Sequence, residues 1–546
     1  MNKESSINNQ DDARTQPEMG ERDRQSPKTS SSSNSTQDPP QIWRTIMIVG
    51  ALCLSVFLIA LDYTIVTTAI PKITDSFGSI DDLGWYGSAY FLSSVAVQPT
   101  FGKIYQNLNV KRSFLAAVAV FELGSLVCAI STTSTSLIIG RALAGVGDGA
   151  IFAGAYTILA STVSLQKRSL AFGCVSAMFG IASILGPLMG GVFTDHLSWK
   201  WCFWINLPLG GTAAAVIAGA LPQPHRKAVR TPLLHRIKEL DPLGSLFLSS
   251  STVCLLLALQ LGGSTYPWSS ARIIGLFVGF GILLCVFAIL QAWRGTKATV
   301  PPHLLRNRQV ISAWAFSFFF GGSYFTFAYY LPIYFQSIKG ASATRSGIDS
   351  LALLLTCVIS SIVIGAGVSV IGYYSPFVVA GTAIYCVGCG LITTLGVDTP
   401  FVKWFSFELL TGIGLGAGFA LPSLAVQTVL SAEDIPVGTT LCNFFFALGG
   451  TVFLSVGQAI FENRLIIAFR KHLPGLDPGL ILKTGATDLG NLLDNAHLGD
   501  KRGEALSLYM EGLRGVYILI LVCSAASFLT ACLWPWKTTK KELVEV

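Results

Sequence analysis

Long apolar stretches alternate with short polar loops along most of the chain. About fourteen such stretches follow residue 44, most of them holding roughly the 20 residues that a helix needs to cross a bilayer. Inside lipid every backbone group must find an internal partner, so apolar runs of this length predict membrane-spanning helices. They lie near residues 45–70, 85–105, 113–131, 137–160, 170–193, 201–221, 243–261, 271–293, 311–335, 348–370, 376–396, 402–425, 437–461 and 514–534.

The spacing of these stretches divides them into three groups. Six fall in residues 45–221, two in 241–293 and six in 311–536, with linkers at 222–240 and 294–310. An even number of inserted helices leaves the second group of six in the same membrane orientation as the first. The sequence therefore predicts an all-α polytopic membrane protein, built from two six-helix bundles plus two inserted helices.

The basic residues of the short loops predict how the helices are oriented. Lys and Arg concentrate in alternate loops, for example at Lys111, Arg112, Lys167 and Arg168 and throughout the basic linker at 222–240. Because such loops stay inside, the tails at 1–44 and 537–546 are predicted to be cytoplasmic, and the long loop at 462–513 extracellular. The tail at 1–44 lacks apolar periodicity and is predicted to be disordered. We expect the plasma membrane, with the vacuolar membrane as the alternative.

Composition supports a membrane protein and excludes several other classes. Hydrophobic residues make up 51% of the chain and charged residues 12%, against roughly 25% charged residues in soluble domains. The 12 cysteines show no metal-ligand spacing and are interpreted as small core residues. The net charge of +7 is explained by the loops, so nucleic acid is not expected as a partner. The sequence shows no sign of an obligate protein partner.

Four ionisable residues lie within predicted membrane helices. They are Asp62, Glu122, Arg141 and Asp148, and a charge at such depth costs a few kcal/mol unless it faces a cavity or a partner. Asp62 and Arg141 both fall in the outer half of the membrane and are predicted to pair, with Arg141 holding Asp62 ionised until a proton arrives. Glu122 and Asp148 are further candidates for proton coupling. The alternative is a set of static structural contacts.

A run of small residues at 182–191 interrupts the fifth predicted helix. Gly186, Gly190 and Gly191 permit a close helix approach, and Pro187 removes a backbone donor and bends the helix. We interpret this run as a pivot or seal between helices. Plain helix packing is the competing interpretation.

Aromatic residues at helical spacing mark one face of the ninth predicted helix. Phe316, Phe320, Tyr324 and Phe327 form a stripe that would suit amphipathic organic compounds. Asn443, in the thirteenth helix, could add a polar contact. The alternative is that the stripe faces lipid or another helix.

Several motifs resemble those of a known family. The chain is similar to the fourteen-span drug:proton antiporters of the major facilitator superfamily, especially fungal toxin and multidrug efflux pumps. The similarity rests on the segment with Asp62 at 61–71, the Arg141 segment at 140–147, the Gly-Pro segment at 186–191, the Trp-rich segment at 201–210, and on 334–347 and 448–450. In that family the Arg141 segment is linked to proton transfer and the Gly-Pro segment to export.

The chain departs from the family pattern in four places. The loop after the second helix has Gln106, Asn107 and Asn109 where the superfamily usually has Asp, Arg and Gly, so the usual charged latch is in question. Ala144 and Ala182 replace a Gln and a Gly, and Phe446 replaces a polar residue.

The resemblance implies a proton-coupled exporter of small amphipathic organic compounds such as a toxin, secondary metabolite or drug, working by alternating access. It implies no enzyme activity and no cofactor beyond the proton gradient, and the sequence lacks the Gly-x-x-x-x-Gly-Lys-Ser/Thr loop of ATP-driven proteins. A proton symporter importing a nutrient or siderophore, and a transporter-like sensor, remain alternatives.

Overall fold

The structure is a computed structural model that describes residues 39–78, 82–222, 239–263, 265–472 and 501–540. By its internal contacts the chain divides into two units, Met1–Ile42 and Trp43–Val546. Residues 39–42, the described part of the first unit, are helical. Most of the predicted disordered tail, most of the 222–240 linker and residues 541–546 lie outside the described residues. Residues 39–44 are helical, which corrects the predicted tail boundary.

The first half consists of six membrane-spanning segments, the sixth of which is broken into two helices. They are α1 (Pro39–Phe77), α2 (Leu83–Asn107), α3 (Val110–Ile130), α4 (Ser134–Thr162), α5 (Leu165–His196), and α6 (Trp201–Trp204) with α7 (Asn206–Ala220).

An inserted helix pair and six further spans complete the chain. The pair is α8 (Pro242–Leu261) and α9 (Ala271–Arg294). The second half holds the short α10 (Pro302–Arg306), α11 (Arg308–Ile333) with a π-helical turn (Tyr334–Ile338), the short α12 (Ala343–Asp349), α13 (Leu351–Ile371), α14 (Ser375–Ile392), α15 (Phe401–Gln427), α16 (Ile435–His472) and α17 (Arg502–Cys532).

Packing in the second half repeats that of the first. In the first half α4 packs against both α2 and α3, and in the second half α15 packs against both α13 and α14. The halves meet through α5 against α13 and through α16 against α2, which is the same pairing with the halves exchanged. The predicted fold class is confirmed.

Thirteen helices of the described chain are long and apolar enough to cross a membrane by length and composition. The remaining span, α2, has 25 residues but carries polar side chains such as Ser94, Gln98 and Lys103. All three side chains are buried against protein and do not face lipid. They lower the mean hydropathy of α2, although the helix has a length like that of the other spans.

We name the two ends of the bundle by their connections. The basic face holds the helix ends that flank 108–109, 163–164, 222–241, 295–307, 372–374 and 428–434. The opposite face holds the helix ends that flank 78–82, 131–133, 197–200, 262–270, 339–342, 393–400 and 473–501. The helix ends that flank the predicted basic loops therefore share one end of the bundle.

The predicted loop at 462–513 is too long at both ends. α16 continues to His472 and α17 begins at Arg502, beyond the apolar stretches used to predict them. These extensions are helical because their apolar residues pack on each other: the rings of Phe461 and Tyr509 are 5.2 Å apart, and Gly512 lies against Phe461 and Leu465.

Asp241 joins the inserted pair to the second linker. It is fully buried at the start of α8, with the left-handed φ of 50°. Its carboxylate accepts hydrogen bonds from the Gln291 side chain at 2.8 Å, from the backbone and hydroxyl of Thr299 at 2.9 Å each, and from the Gly244 amide at 3.1 Å. Arg294 pairs with it at 3.2 Å. One carboxylate therefore fixes α8, α9 and the predicted linker at 294–310 together.

Asp241→Asn tests this junction. The variant replaces an accepting oxygen with a donor amide, and hydrogen bonds to a charged group contribute about 1.5–3 kcal/mol. We expect the apparent unfolding temperature of the purified protein to fall by a corresponding amount. Ser270→Ala, which removes the N-terminal cap of α9, is the control and should cost about 1 kcal/mol. A smaller effect for Asp241→Asn than for the control would contradict the account.

Acidification should lower the stability of the wild type in the same way as Asp241→Asn does. Burial raises the pKa of the Asp241 carboxyl, but the hydrogen bonds from Gln291, Thr299 and Gly244 outweigh burial and hold the pKa below its ordinary value. A lowered folded-state pKa means that the stabilisation is complete above the ordinary carboxyl pKa and is lost as the pH falls through the folded value. Below about pH 4 the wild type should therefore lose stability more steeply than Asp241→Asn.

Candidate functional site

A buried ion pair lies at the centre of the first half. The Arg141 guanidinium of α4 donates to the Asp62 carboxylate of α1 at 2.5 Å, and both residues are fully buried. The Asn206 amide at the start of α7 donates to the other Asp62 oxygen at 2.7 Å and to the Ser125 hydroxyl of α3 at 3.1 Å. The predicted pair of Asp62 and Arg141 is present, and four helices contribute to it.

Close packing of α2 on α4 completes the surroundings of Arg141. A Cβ on Gly145 would lie 2.1 Å from the Tyr90 carbonyl oxygen, so the absent side chain allows the two backbones to touch. As a result the Tyr86 carbonyl accepts from the Arg141 Nε at 2.8 Å, and the guanidinium lies 4.3 Å from the centre of the Tyr90 ring. The Tyr90 ring thus separates the ion pair from the interior space between the halves.

A cavity of about 70 Å³ lies between the two halves. Pockets that hold drug-sized ligands have about 300–1,000 Å³, so this conformation is closed around the space. Seven of the thirteen residues that line it are aromatic. The lining residues are Ile59, Tyr63, Tyr90, Phe91, Ser94, Gln98, Asp148, Phe152, Phe179, Phe325, Asn443, Phe446 and Ala447.

Four polar side chains, those of Ser94, Gln98, Asp148 and Asn443, line this aromatic cavity from both halves. Asp148 of α4 lies beside Ser94 of α2, and Asn443 of α16 lines the wall contributed by the second half. The Gln98 Oε1 and the Asn443 Nδ2 are buried without a hydrogen-bond partner. Because unpaired buried polar groups are costly, these two atoms are available to a ligand that offers a donor and an acceptor. The structure therefore places two sequence candidates, Asp148 and Asn443, in the cavity wall.

Glu122 lies elsewhere. It projects from α3 toward α7, where a Cβ on Gly210 would lie 1.5 Å from its Oε1, so Gly210 makes room for the carboxyl group. Both Glu122 oxygens are buried without a hydrogen-bond partner. Glu122 is not among the residues that line the cavity shared with Asp148.

Three residues of the aromatic stripe of α11 are packing residues and not cavity wall, which corrects the binding interpretation for them. Phe316, Phe320 and Phe327 are fully buried. The Phe316 ring lies 5.3 Å from that of Trp534, and a Cβ on Gly418 would lie 2.1 Å from the Phe320 ring. Tyr324 packs on Phe419 at 4.9 Å behind the cavity. Phe316, Phe320 and Phe327 are thus buried within the second half. Tyr324 lines a small neighbouring pocket with Phe179 and Gly180 of α5, and α11 reaches the cavity itself through Phe325.

The small-residue run of α5 packs against α1 beside Asp62. A Cβ on Gly186 would lie 2.0 Å from the Thr64 Oγ1, and one on Gly190 would lie 2.4 Å from the Ile65 carbonyl oxygen. Thr64 also donates to the Ala182 carbonyl at 3.1 Å. Gly191 faces open space, and Pro187 lies inside the continuous α5. Ala182, Gly186 and Gly190 thus form the contact, and Gly191 does not.

The other half of α5 packs against the second half of the protein. A Cβ on Gly173 would lie 2.5 Å from the Ser361 carbonyl oxygen of α13, and the Ser169 hydroxyl donates to the Gly365 carbonyl at 2.9 Å. Helix α5 therefore contacts both the turn of α1 that follows Asp62 and helix α13 of the second half.

Hydrogen bonds between the halves close the basic face. Gln106 donates to Asp434 at 3.3 Å, and Arg168 donates to Gln427 at 3.2 Å. Further bonds run from Gln166 to Ser369 and from Ser169 to Gly365. All four bonds that join the halves within the described ranges lie toward this face. At Gln106, where the chain departs from the family pattern, the contact is a hydrogen bond from a neutral amide to a carboxylate.

Sequence reasoning missed several residues of this site. Asn206, Gln98 and Ser125 are neutral, and a search for charges in apolar helices passes over them. Their polarity could have identified them, because each is a hydrogen-bonding residue within an apolar span. Tyr90 and Phe91 carried no signal, because an aromatic residue in a membrane helix is not unusual.

Two adjacent glycines of α5 provide a matched stability test. Gly190→Ala forces a methyl group onto the α1 backbone, and overpacking costs about 1–3 kcal/mol. Gly191→Ala meets nothing within 4 Å and should be neutral or stabilising by up to about 1 kcal/mol, since Ala favours helix. The measurement is the apparent unfolding temperature of each purified variant. Equal effects of the two substitutions would refute the described contact.

Comparison with known proteins gives the family. Residues 52–454 match the model of the Major Facilitator Superfamily. The chain is 44% identical to the MFS-type efflux pump MFS1 of Arthroderma benhamiae over 500 residues, covering 91% of this chain and 92% of that one. It is 42% identical to the MFS-type transporter astH of Aspergillus oryzae, covering 99% and 95%, and 43% identical to the efflux pump aflT of Aspergillus parasiticus, covering 91% and 96%.

Solved structures agree on the fold. The human organic anion transporter MFSD10 matches with a TM-score of 0.54 at 15% identity, covering 88% of this chain and 99% of that one. The proton:xylose symporter XylE matches with a TM-score of 0.54 at 12% identity, covering 92% and 98%. Together with the family model and the fungal relatives, these matches confirm the resemblance seen in the motifs: the chain is a multi-pass membrane transporter, not an enzyme, and belongs to the Major Facilitator Superfamily.

Proposed function

We propose that this protein is a proton-coupled efflux transporter that exports small amphipathic organic compounds by alternating access. The observation that carries the proposal is the Asp62–Arg141–Asn206 network, which lies directly behind an aromatic cavity between the two halves. The names of the fungal relatives MFS1 and aflT support the direction of transport. Protons, the small-molecule substrate and the surrounding bilayer are the only partners that the proposal requires, and the proton gradient is its only energy source.

Asp62 receives the proton. As a carboxylate it matches the charge of Arg141 at a fully buried position, and its second oxygen accepts a hydrogen bond from Asn206. Protonation removes that charge and leaves the guanidinium without a counterion. Because an uncompensated buried charge costs about 3–5 kcal/mol, the pair cannot stay as it is, and helices α1 and α4 must shift.

Tyr90 connects the pair to the cavity. Its ring stacks on Arg141 and also lines the space that a substrate would occupy. Movement of the guanidinium therefore changes the shape of the cavity wall. Asp148, on the same wall, is placed to exchange a proton with the cavity or to contact a polar group of the substrate. Glu122 lies between α3 and α7 and does not line the cavity, so it cannot contact a substrate there.

The transport cycle follows from these contacts. The four hydrogen bonds at the basic face break when the halves open there, and substrate enters from that side with Asp62 ionised. Closure at the basic face and opening at the opposite face release the substrate and admit a proton to Asp62. The protonated carrier then returns, so that protons moving inward drive substrate outward.

The cavity defines the class of substrate. Aromatic rings from both halves provide apolar contact, while Gln98, Asn443 and Asp148 offer an acceptor, a donor and a carboxyl group. This combination suits an apolar, ring-containing compound that bears hydroxyl, carbonyl or amine groups. Such a molecule fits the description of a fungal secondary metabolite or a drug.

We assign the basic face to the cytoplasm, because basic loops remain inside. Both chain ends then lie in the cytoplasm and the connection at 473–501 lies outside. The plasma membrane is the proposed location and the vacuolar membrane is the alternative. In either location the exporter clears the cytosol of its substrate.

An uptake assay in a pump-deficient host tests the proposed function. Cells expressing the chain should accumulate less of some members of a panel of ring-containing toxins, and an uncoupler should remove the difference. With one proton per molecule and a gradient of one pH unit, accumulation should fall by up to about tenfold. A symporter would instead raise accumulation, and a sensor would leave it unchanged; either outcome would contradict export.

Asp62→Asn separates coupling from packing in the same assay. The amide keeps the shape of the side chain but cannot take up a proton, so export should be lost at normal surface abundance. Asp75→Asn is the matched control, since Asp75 lies on the same helix and is exposed. Undiminished uphill export by Asp62→Asn would remove Asp62 from the coupling role.

A further inference from the structure

Glu408 is a buried acid in the second half that the cycle above does not use. It lies on α15 with no solvent exposure, and neither of its oxygens has a hydrogen-bond partner. None of the ion pairs among the described residues includes it. Like the first-half residues chosen from the sequence, Glu408 is ionisable within an apolar span, and the sequence analysis missed it.

The position of Glu408 corresponds to that of Arg141. Each is the eighth residue of its helix, and α15 occupies in the second half the place of α4 in the first. Arg141 has a counterion at 2.5 Å, whereas Glu408 has none. An unpaired charge at this depth costs several kcal/mol, so in this conformation the Glu408 carboxyl group is stable only as the neutral acid.

The groups around Glu408 explain how it could lose that proton. Its titratable neighbours are Tyr334 from the π-helical turn, Tyr517 of α17, and Asp349 at the end of α12. Arg345 neutralises Asp349 at 3.0 Å, and Lys403 on α15 itself lies near the ring of Phe407. The Tyr517 hydroxyl is buried without a partner, so it is free to donate to an ionised Glu408.

The first turn of α13 is the other potential donor. The Leu353 backbone faces the carboxyl group without making a hydrogen bond of good geometry to either oxygen. Amides in the first turn of a helix have no intrahelical acceptor and favour negative charge. A small shift of α13 toward α15 would complete this bond, and a shift away would remove it.

The glycines of α15 hold α13 close to Glu408. A Cβ on Gly412, one turn beyond Glu408, would lie 2.6 Å from the Leu353 carbonyl oxygen, and one on Gly416 would lie 2.5 Å from the Ser361 amide nitrogen. The same helix α13 also packs on α5, where a Cβ on Gly173 would lie 2.5 Å from the Ser361 carbonyl oxygen. The opening and closing of the interface between the halves therefore acts on the same helix whose first turn faces Glu408.

We propose that Glu408 is a second proton-binding residue, located in the second half, whose proton occupancy changes when α13 moves with the α5–α13 interface. One proton from water at the opposite face binds a Glu408 oxygen and neutralises it; the same proton returns to water when α13 and Tyr517 supply hydrogen bonds to the carboxylate. The proposal deepens the proton coupling proposed above and rests on it.

Infrared difference spectroscopy of the purified full-length protein tests this proposal without a transported substrate. Between neutral and alkaline pH, the wild type should lose a signal from a protonated buried carboxyl group, and Glu408→Gln should lack that signal. Glu511→Gln, which alters an exposed acid on α17, is the matched control and should retain it. Identical spectra for Glu408→Gln and the wild type would overturn the proposal.

A cross-link tests the dependence on α13. Gln166 and Ser369 are hydrogen-bonded across α5 and α13 at the basic face, so cysteines at both positions can be joined by a short linker that attaches through reducible disulfide bonds, in a background without native cysteines. With the interface locked closed, the Glu408 signal should persist at alkaline pH, and reduction of the linker should restore its loss. Loss of the signal in the linked protein would refute the dependence on α13.

Tyr517→Phe is the second variant for the infrared experiment, to be used if Glu408→Gln fails to fold. The substitution removes only the unpaired hydroxyl and should displace the pH at which the carboxyl signal is half lost. An unchanged half-loss pH would count against the assignment. Because these spectra report proton binding alone, failure of the Glu408 proposal is distinguishable from failure of export, which the uptake assay reports separately.

Discussion

The buried guanidinium of Arg141 constrains the whole first half. A charge without solvent contact has to be matched within the protein, and Asp62, the Tyr86 carbonyl and the Tyr90 ring do so from two other helices. Asn206 then orients the carboxylate from α7. Because each partner must lie within hydrogen-bond or stacking distance, the positions of α1, α2 and α7 around α4 follow from one cation. A proton on Asp62 would disturb all of them together.

Helix α5 connects this network to the second half. Its small residues hold the turn of α1 that follows Asp62, and its other end holds α13, which in turn is clamped to α15 by glycines beside Glu408. Two buried acids, one in each half, thus lie at the ends of a continuous series of backbone contacts. Tightly packed backbones do not deform gradually, so movement at one end favours a discrete change at the other. This arrangement gives the small-residue run of α5 a mechanical role that needs no charge of its own.

Much of this architecture was predictable from the sequence, for identifiable reasons. Apolar length and loop charge predicted the spans, and the opposite directions of α1 and α4 predicted the pairing of Asp62 with Arg141. Periodicity could not say which neighbour the stripe of Phe316, Phe320 and Phe327 would meet, so a binding face and a packing face both remained open. Asn206 was not predicted as a site residue because it is neutral. The helical extensions at 462–472 and 502–513 were not predicted because mutual packing, not apolar length, stabilises them.

Distance measurements between spin labels test the central claim most directly, namely that a proton on Asp62 changes the packing of the two halves. Labels replacing the exposed residues Leu188 on α5 and Leu355 on α13 report the separation of the halves toward the opposite face. On a background without native cysteines, the distance distribution should shift between alkaline and acidic pH, and Asp62→Asn should show the acidic distribution at both. A distribution that is independent of pH, or a pH-dependent shift that persists in Asp62→Asn, would contradict the account.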